Sequence, residues 1–466
     1  MRRFSRWSDR AMPMHIAALM LLHAEPGRAP GSVPPSAAVD RLVAVVRHRV
    51  AQVPQLRRRL RTPGVPWAAC EWVQDPLFDP AIHVTGSVID VPSGHCMLAA
   101  EAARHLARPL DRARPLWEIR ILGGLRGGEL ALLAKVHHAL ADGLHALTLA
   151  ASLFDELDQA PATQRASGTA PALDNFGGLA RAGARLNTLA RTALADPAGP
   201  ARWLAGQAHG GLSRAGQLHS AARIAAAVTR AAVRASSSPP FNATLVPTRR
   251  LGMLTLPLDE IHRVGKAHGG TVNDVLLAVA AGALRSWLAQ HGHPRYPLRA
   301  LVPVSQCRPG AATGNAISGY LVTLPVDVPD PGARLRLIHD AMTANKAAGP
   351  TRGAGALPLL AEALPPAVVR LGLPPAAPLL GHLAPRLFNL VITNVAFPDL
   401  PLHIDGIRLH EIYPYLPLGP RQGLGLAIGT YQGSAHLGIQ TDDDATGPDP
   451  DALAACLRAA LDELAS

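Results

Sequence analysis

Lysine is nearly absent from this chain: Lys135, Lys266 and Lys346 are the whole complement, and arginine supplies nearly all of the basic charge behind the net +11. Aromatic residues make up only 4%, and no segment interleaves them with basic residues, so a nucleic-acid-binding module is not expected. A weak attraction to anionic lipid fits the charge better. The four cysteines, Cys70, Cys96, Cys307 and Cys456, are scattered without a CxxC pair. That spacing indicates neither a disulfide framework nor a zinc site, and a reducing cytoplasm is the expected setting. No run of eighteen uncharged apolar residues occurs, so no transmembrane helix is expected. Charged residues are also sparse, 17% against 48% hydrophobic, a balance that suits a lipid-handling protein or simply an alanine-rich one.

The N-terminal segment, a charged stretch followed by an apolar one, has the outline of a signal peptide. Pro13 and His15 interrupt it, and Met14 to Leu22 reads instead as the first strand. The most informative stretch is Glu129 to Phe154, ELALLAKVHHALADGLHALTLAASLF. Leu130 to Val136 is short and almost wholly apolar, which predicts a buried strand, although periodicity alone leaves a helix open. From Gly143 onward Leu144, Leu147, Ala151 and Phe154 recur at helical spacing, so the strand passes through a tight turn into a helix. His137 and His138 therefore stand where a strand leaves its sheet, a position at once exposed and held by a rigid scaffold.

A neutral imidazole, with an ordinary pKa near ~6.5, serves as a general base at physiological pH. Successive residues on a strand point to opposite faces, so the two histidines do not both face one cleft while the strand persists. One works and the other packs. Asp142 reaches back to an imidazole across the turn or caps the following helix, and Gly143 supplies backbone freedom. A pair of core histidines with a capping aspartate explains the same residues equally well. A metal site built from His137, His138, Asp142 and His145 fits less well, because these residues diverge around a turn and no second ligand cluster exists.

HHALADG, residues 137–143, matches the HHxxxDG motif of the CoA-dependent acyltransferase superfamily, and its surroundings resemble the bacterial wax ester synthase/acyl-CoA:diacylglycerol acyltransferase family. The auxiliary segments carry the distinction from condensation domains of peptide synthesis. Pro13-Met14-His15 resembles the family's PMH, and Pro115-Leu116-Trp117 its PLW, which reads as a packed indole before a strand at 119–122. Phe78-Asp79 with His83-Val84 resembles the segment leading into a strand, where His83 is expected to be structural. Arg41 to Leu60 predicts an amphipathic helix ending near Pro54, with Arg57 to Arg59 either meeting phosphates or, more simply, forming a solvated face. Phe241-Asn242 and Arg249-Arg250 open the second half. Asn273-Asp274 matches the family's ND motif; either residue caps the apolar helix 275–288 or supports the site, Asn273 through its amide. Val304-Ser305-Gln306-Cys307-Arg308 and Gly314-Asn315 resemble two further elements, with Cys307 as a departure. Phe397 is another departure, since the family carries a more Gly/Pro-rich stretch after Asn394-Val395, and it bears on channel shape and chain-length preference.

The resemblance implies an α/β fold of two CoA-dependent acyltransferase-like domains, each a mixed β-sheet with flanking helices, with the active-site channel at their interface. Residues 1–160 form the first domain, 161–240 a basic alanine-rich linker of helical character, and 241–466 the second. It further implies transfer of a fatty acyl group from acyl-CoA to the hydroxyl of diacylglycerol or of a long-chain alcohol. His138 is then the general base, His137 its support, Gly143 the turn, and Asp142 an architectural residue paired with Arg308. Acyl-CoA is a co-substrate and no cofactor is implied. The protein is expected in the cytoplasm, peripheral to the inner face of the membrane or to lipid droplets. Two other readings use the same residues: a condensation-type enzyme with a carrier-bound donor, and a non-catalytic lipid-surface protein.

Overall fold

The computed structural model describes residues 14–23, 34–61, 71–89, 95–138, 140, 150, 152–158, 239–243, 245–305, 317–348, 388–398, 400–419, 421–443 and 447–466. The first half runs β1 (His15–His23), α1 (Pro35–Ala51), β2 (Arg58–Arg61), β3 (Glu71–Gln74), β4 (Val84–Val88), α2 (His95–Ala107), β5 (Trp117–Gly123) and β6 (Leu130–His137). The second half runs β7 (Arg249–Pro257), α3 (Leu258–His268), α4 (Val272–Gln290), β8 (Leu298–Ser305), β9 (Ile317–Leu324) and α5 (Pro331–Ala348). It continues through β10 (Leu390–Ala396), β11 (His403–Ile404), β12 (Ile407–Tyr415), β13 (Leu424–Tyr431), β14 (Ser434–Asp442) and α6 (Pro450–Ala465).

Apart from β2 and β3, which pair with each other, the strands form two six-stranded mixed sheets, in the orders β11-β12-β1-β6-β5-β4 and β7-β14-β13-β10-β8-β9. In the first, only β4 and β5 are parallel; in the second, β10 runs parallel to both neighbours. Two strands cross the midline of the chain. β11 and β12 follow β10 in sequence yet join the first sheet, with β12 antiparallel to β1. A domain boundary at Phe241 does not anticipate this exchange, since pairing with β1 is a long-range event.

Local sequence explains most elements. Leu130 to Leu133 is fully buried because β6 is covered on both faces. Asp405-Gly406, with φ of 54° and 71°, makes the two-residue turn between β11 and β12, and Gln432-Gly433, at 47° and 73°, joins β13 to β14. Both are the mirror-image turns that right-twisted hairpins favour. Asp449 accepts hydrogen bonds from Asp451 N and Ala452 N at the start of α6. α1 ends at Ala51, close to the expected end at Pro54; in the arginine cluster after it Arg57 closes a short 3-10 turn and Arg58 and Arg59 begin β2, with Arg59 3.7 Å from Asp75.

The larger core fills one face of the second sheet, where Leu256, Leu298, Ile392 and Leu437 meet α4 and α6. Helix α4 is long and apolar enough to cross a bilayer by length and composition, but most of it is buried in this core. The first sheet has a core on each face. α1 covers one with Val39, Leu42 and Val46, and α2 covers the other with Leu98, Ala102 and Leu106. β12 crosses close over β13 and β14, which is possible because Gly438 has no side chain: a Cβ there would lie 1.8 Å from the Pro414 carbonyl oxygen.

Candidate active site

The two-residue period of the strands builds the site. On β6 Lys135 sends its ammonium to the end of α2 and His137 stays off the cavity wall, while Ala134, Val136 and His138, with part of Lys135, line a cavity of about 1100 Å³ between the two sheets. On β1, Ile16, Ala18 and Met20 extend the same wall. The second sheet answers with the side opposite its helices: Val391, Thr393, Val395 and Phe397 line the cavity, while Leu390 and Ile392 are core. The volume lies at the upper end of sites for small organic ligands, and the wall is almost wholly apolar. Trp117 closes another part, its Nε1–H donating to the Leu56 carbonyl at 2.7 Å and its indole stacked on His83 at 4.7 Å. His83 sits at the end of a short helical turn, buried, with Nδ1 2.8 Å from the Trp117 carbonyl, and burial lowers its pKa.

His138 follows the last residue of β6 and is fixed by its backbone N–H, which donates to the Met14 carbonyl at 2.7 Å. His137 is half-buried, is not among the residues lining the cavity, and faces the His15 ring edge-on at 6.1 Å. Burial, reinforced by Arg112 and His138, pushes the His137 imidazole down to about 4. Burial and the Lys135 ammonium push His15 to about 3. Both rings are therefore neutral at physiological pH.

Behind this wall stands an arrangement that the sequence reading did not single out. Lys135 is completely buried; its Nζ lies 3.0 Å from Glu118 Oε2 and donates to the carbonyls of His105 at 3.1 Å and Arg108 at 3.0 Å. His15 Nδ1 meets the Leu106 carbonyl at 3.3 Å. Together they hold the C-terminal end of α2, where the helix leaves carbonyls unpaired and favours positive charge. One of only three lysines, set inside an apolar strand, was the available signal.

Asn273 and Asp274 stand elsewhere. Thr271, and neither of them, is the N-cap of α4; Asp274 occupies the third helical position and completes a capping box with Thr271. Its carboxylate also accepts from His339 Nδ1 at 2.9 Å. Burial opposes the charge, but the hydrogen bonds from His339 and Thr271 outweigh it and keep the carboxyl below its ordinary range. Asn273 is half-buried, and neither residue is among the described residues lining the cavity. Asp142, Gly143, His145, Cys307 and Arg308 lie outside the described residues, as do Gly314-Asn315 and residues 161–238 of the linker. Among the described residues no cluster of three or more metal-binding side chains occurs.

The wax ester synthase/diacylglycerol acyltransferase catalytic domain matches residues 2–276, and the C-terminal domain of the same family matches residues 313–465. The chain belongs to this family. Among its relatives is the probable diacylglycerol O-acyltransferase tgs1 of Mycobacterium tuberculosis, 32% identical over 441 residues, covering 94% of this chain and 88% of that one. Another is the probable diacylglycerol O-acyltransferase tgs2 of the same species, 30% identical over 436 residues, covering 92% and 90%. In fold the chain is similar to the wax ester synthase/diacylglycerol acyltransferase of Marinobacter aquaeolei VT8, with a TM-score of 0.67 at 23% identity over 99% of this chain and 97% of that one. The first condensation domain of the calcium-dependent antibiotic synthetase shares the fold more distantly, with a TM-score of 0.55 at 16% identity over 100% and 93%. The two-sheet architecture is thus shared with a solved member of the family.

Proposed function

We propose that this protein is an acyl-CoA-dependent O-acyltransferase that moves a fatty acyl group to the hydroxyl of diacylglycerol, and to long-chain alcohols as an alternative acceptor. The observation that carries this reading is the position of His138, the second histidine of the motif, on the wall of a large apolar cavity. A thioester and a lipid alcohol bring long hydrocarbon chains, and only a cavity of this kind removes them from water beside a base.

In this scheme the His138 imidazole takes the proton from the acceptor hydroxyl as its oxygen bonds to the thioester carbonyl carbon. Collapse of the tetrahedral adduct breaks the carbon–sulfur bond, and the imidazolium returns the proton to the departing CoA thiolate. No acyl-enzyme is formed. His137 supports the strand end from the opposite face, through its packing against His15. General-base action is worth about 10²–10⁴-fold, and alignment of the two substrates supplies much of the rest. Both substrates reside at lipid surfaces, and the net charge of +11 favours anionic headgroups, so we place the protein in the cytoplasm as a peripheral protein of the membrane or of lipid droplets.

Release of free CoA from palmitoyl-CoA, with dipalmitoylglycerol or hexadecanol as acceptor, tests this in wild type and His138→Ala. Acceptor-dependent release, reduced about 10²–10⁴-fold in the variant, is the expected result. Absence of release with either alcohol, together with turnover of a carrier-protein-bound donor, would replace this reading with the condensation-type one.

A further inference from the structure

We propose that Phe397 sets the length of the hydrocarbon chain that this enzyme accepts, by closing the far end of the arm of the cavity that begins at His138. The inference rests on the acyltransferase reading for the identity of the chain, and on the geometry of the cavity for the position of the stop.

The arm is defined by strand register. His138 is held at Met14, and β1 and β6 then run antiparallel, with Ile16 opposite Val136 and Ala18 opposite Ala134. Ala18 and Ala134 are small, so the wall is recessed over this level. Two residues further on, Met20 lies opposite Ile412 of β12, both buried and bulky. Phe397 belongs to the cavity-facing positions of the second sheet and packs across onto the hydrophobic cluster of the first. Its backbone N–H donates to the Thr430 carbonyl at 3.0 Å. Its ring backs onto Gly429 so closely that a Cβ there would come within 3.0 Å of Cε2, and that same glycine faces the Ile412 carbonyl and Pro414. Pro414 pairs with Ala18. The ring therefore stands level with Ala18 to Met20, and the β13 backbone behind it blocks retreat in that direction.

The distance along β1 from Met14 to this level is four to six residues, roughly 14–20 Å at the rise of an antiparallel strand. A zigzag hydrocarbon rises about 1.25 Å per methylene, from the length and angle of carbon–carbon bonds. The arm so defined accommodates about eleven to sixteen methylenes before the chain meets the ring. Replacing phenylalanine by alanine removes a ring the size of a benzene molecule, which is room for about four more.

The acyl chain of the donor and the alkyl chain of the acceptor share this chemistry, and the test separates them. Wild type, Phe397→Ala and Phe397→Trp are compared in three series. The first is displacement of bound cis-parinaric acid by saturated fatty acids of eight to twenty carbons, which needs no turnover. The second is CoA release from acyl-CoAs of those lengths with a fixed diacylglycerol, and the third is CoA release from palmitoyl-CoA with alcohols of those lengths. Phe397→Ala is expected to move the preferred length up by about four carbons, with about a tenfold gain for the longest chain over the wild-type optimum, and Phe397→Trp to move it down. A shift confined to the second series assigns the arm to the donor, and one confined to the third assigns it to the acceptor. Unchanged length profiles in folded variants, or no displaceable binding of the fatty acid to wild type, overturn the proposal. If wild type releases no CoA with either acceptor, the acyltransferase reading fails, and the displacement series alone still decides the stop. If Phe397→Ala does not fold, Phe397→Leu takes its place with a smaller upward shift expected.

Discussion

His15 lies directly opposite His137 where β1 pairs with β6, and the two rings meet edge to face with their centroids 6.1 Å apart. One is 5% exposed and the other half-buried, so the active-site wall is backed by two imidazoles that resist protonation.

A pH dependence of stability follows. His15, with a folded pKa of about 3, and His137, with about 4, bind protons in the unfolded chain near ~6.5 but not in the folded one. Stability is therefore intact above that pH and is lost as the pH falls from it toward the folded values. At pH 5 the buried His15 alone should cost about 2 kcal/mol. Melting temperatures between pH 8 and pH 5 should fall for wild type and fall less for His15→Gln. Parallel curves for the two proteins would show that His15 is not the group responsible.

Lys135 joins Glu118 to the end of α2. Burial lowers its pKa, and Glu118 opposes that shift. Lys135→Met removes one donor from the Glu118 carboxylate and from the carbonyls of His105 and Arg108. Because Glu118 is about one-third exposed and water partly replaces the lysine there, the expected loss is about 2–3 kcal/mol in urea denaturation, short of that for a fully buried pair. A neutral result would mean that α2 does not depend on this clamp.

Gly438 and Gly433 should respond differently to alanine. At Gly438 the new Cβ meets the Pro414 backbone, which cannot yield without moving β12 off β14, so a loss of at least about 3 kcal/mol is expected. At Gly433, φ is +73° and nothing lies within 4 Å, so only backbone strain applies, about 1 kcal/mol. Equal losses at the two sites would contradict the close crossing.

Asp155 and Glu156 tie the segment after the histidine motif to the β11–β12 hairpin. Asp155 accepts from Asp405 N at 3.1 Å, Gly406 N at 2.8 Å and the Arg49 guanidinium, and Glu156 accepts from His403 N at 2.9 Å. Asp155→Ala should speed amide exchange across residues 403–409 about tenfold, with the second sheet unaffected. Uniform acceleration throughout would instead indicate global loss of stability.

The sequence by itself determined the elements whose signal is local. The apolar runs at Met14 to Leu22 and Leu130 to Val136 are β1 and β6, and the apolar stretch expected as a helix over 275–288 lies within α4, with Asp274 in its capping box. Periodicity and capping act within a few residues, so they are readable without a fold. The histidine motif pointed to the superfamily, and the auxiliary segments around Pro13-Met14-His15, Pro115-Leu116-Trp117 and Asn273-Asp274 pointed to the family within it.

What only the tertiary structure decided is long-range. β12 pairs with β1 across nearly four hundred residues of chain, a choice made by matching hydrophobic faces and registers. Asp274 was legible as a capping candidate but not as the partner of His339, and Lys135 was visible as a rarity but not as the clamp of a helix end. The same holds for the cavity. Alternation along a strand says that His137 and His138 point apart, but which one meets open space depends on what packs against each face: α2 fills one side, and the other is left to the space between the sheets.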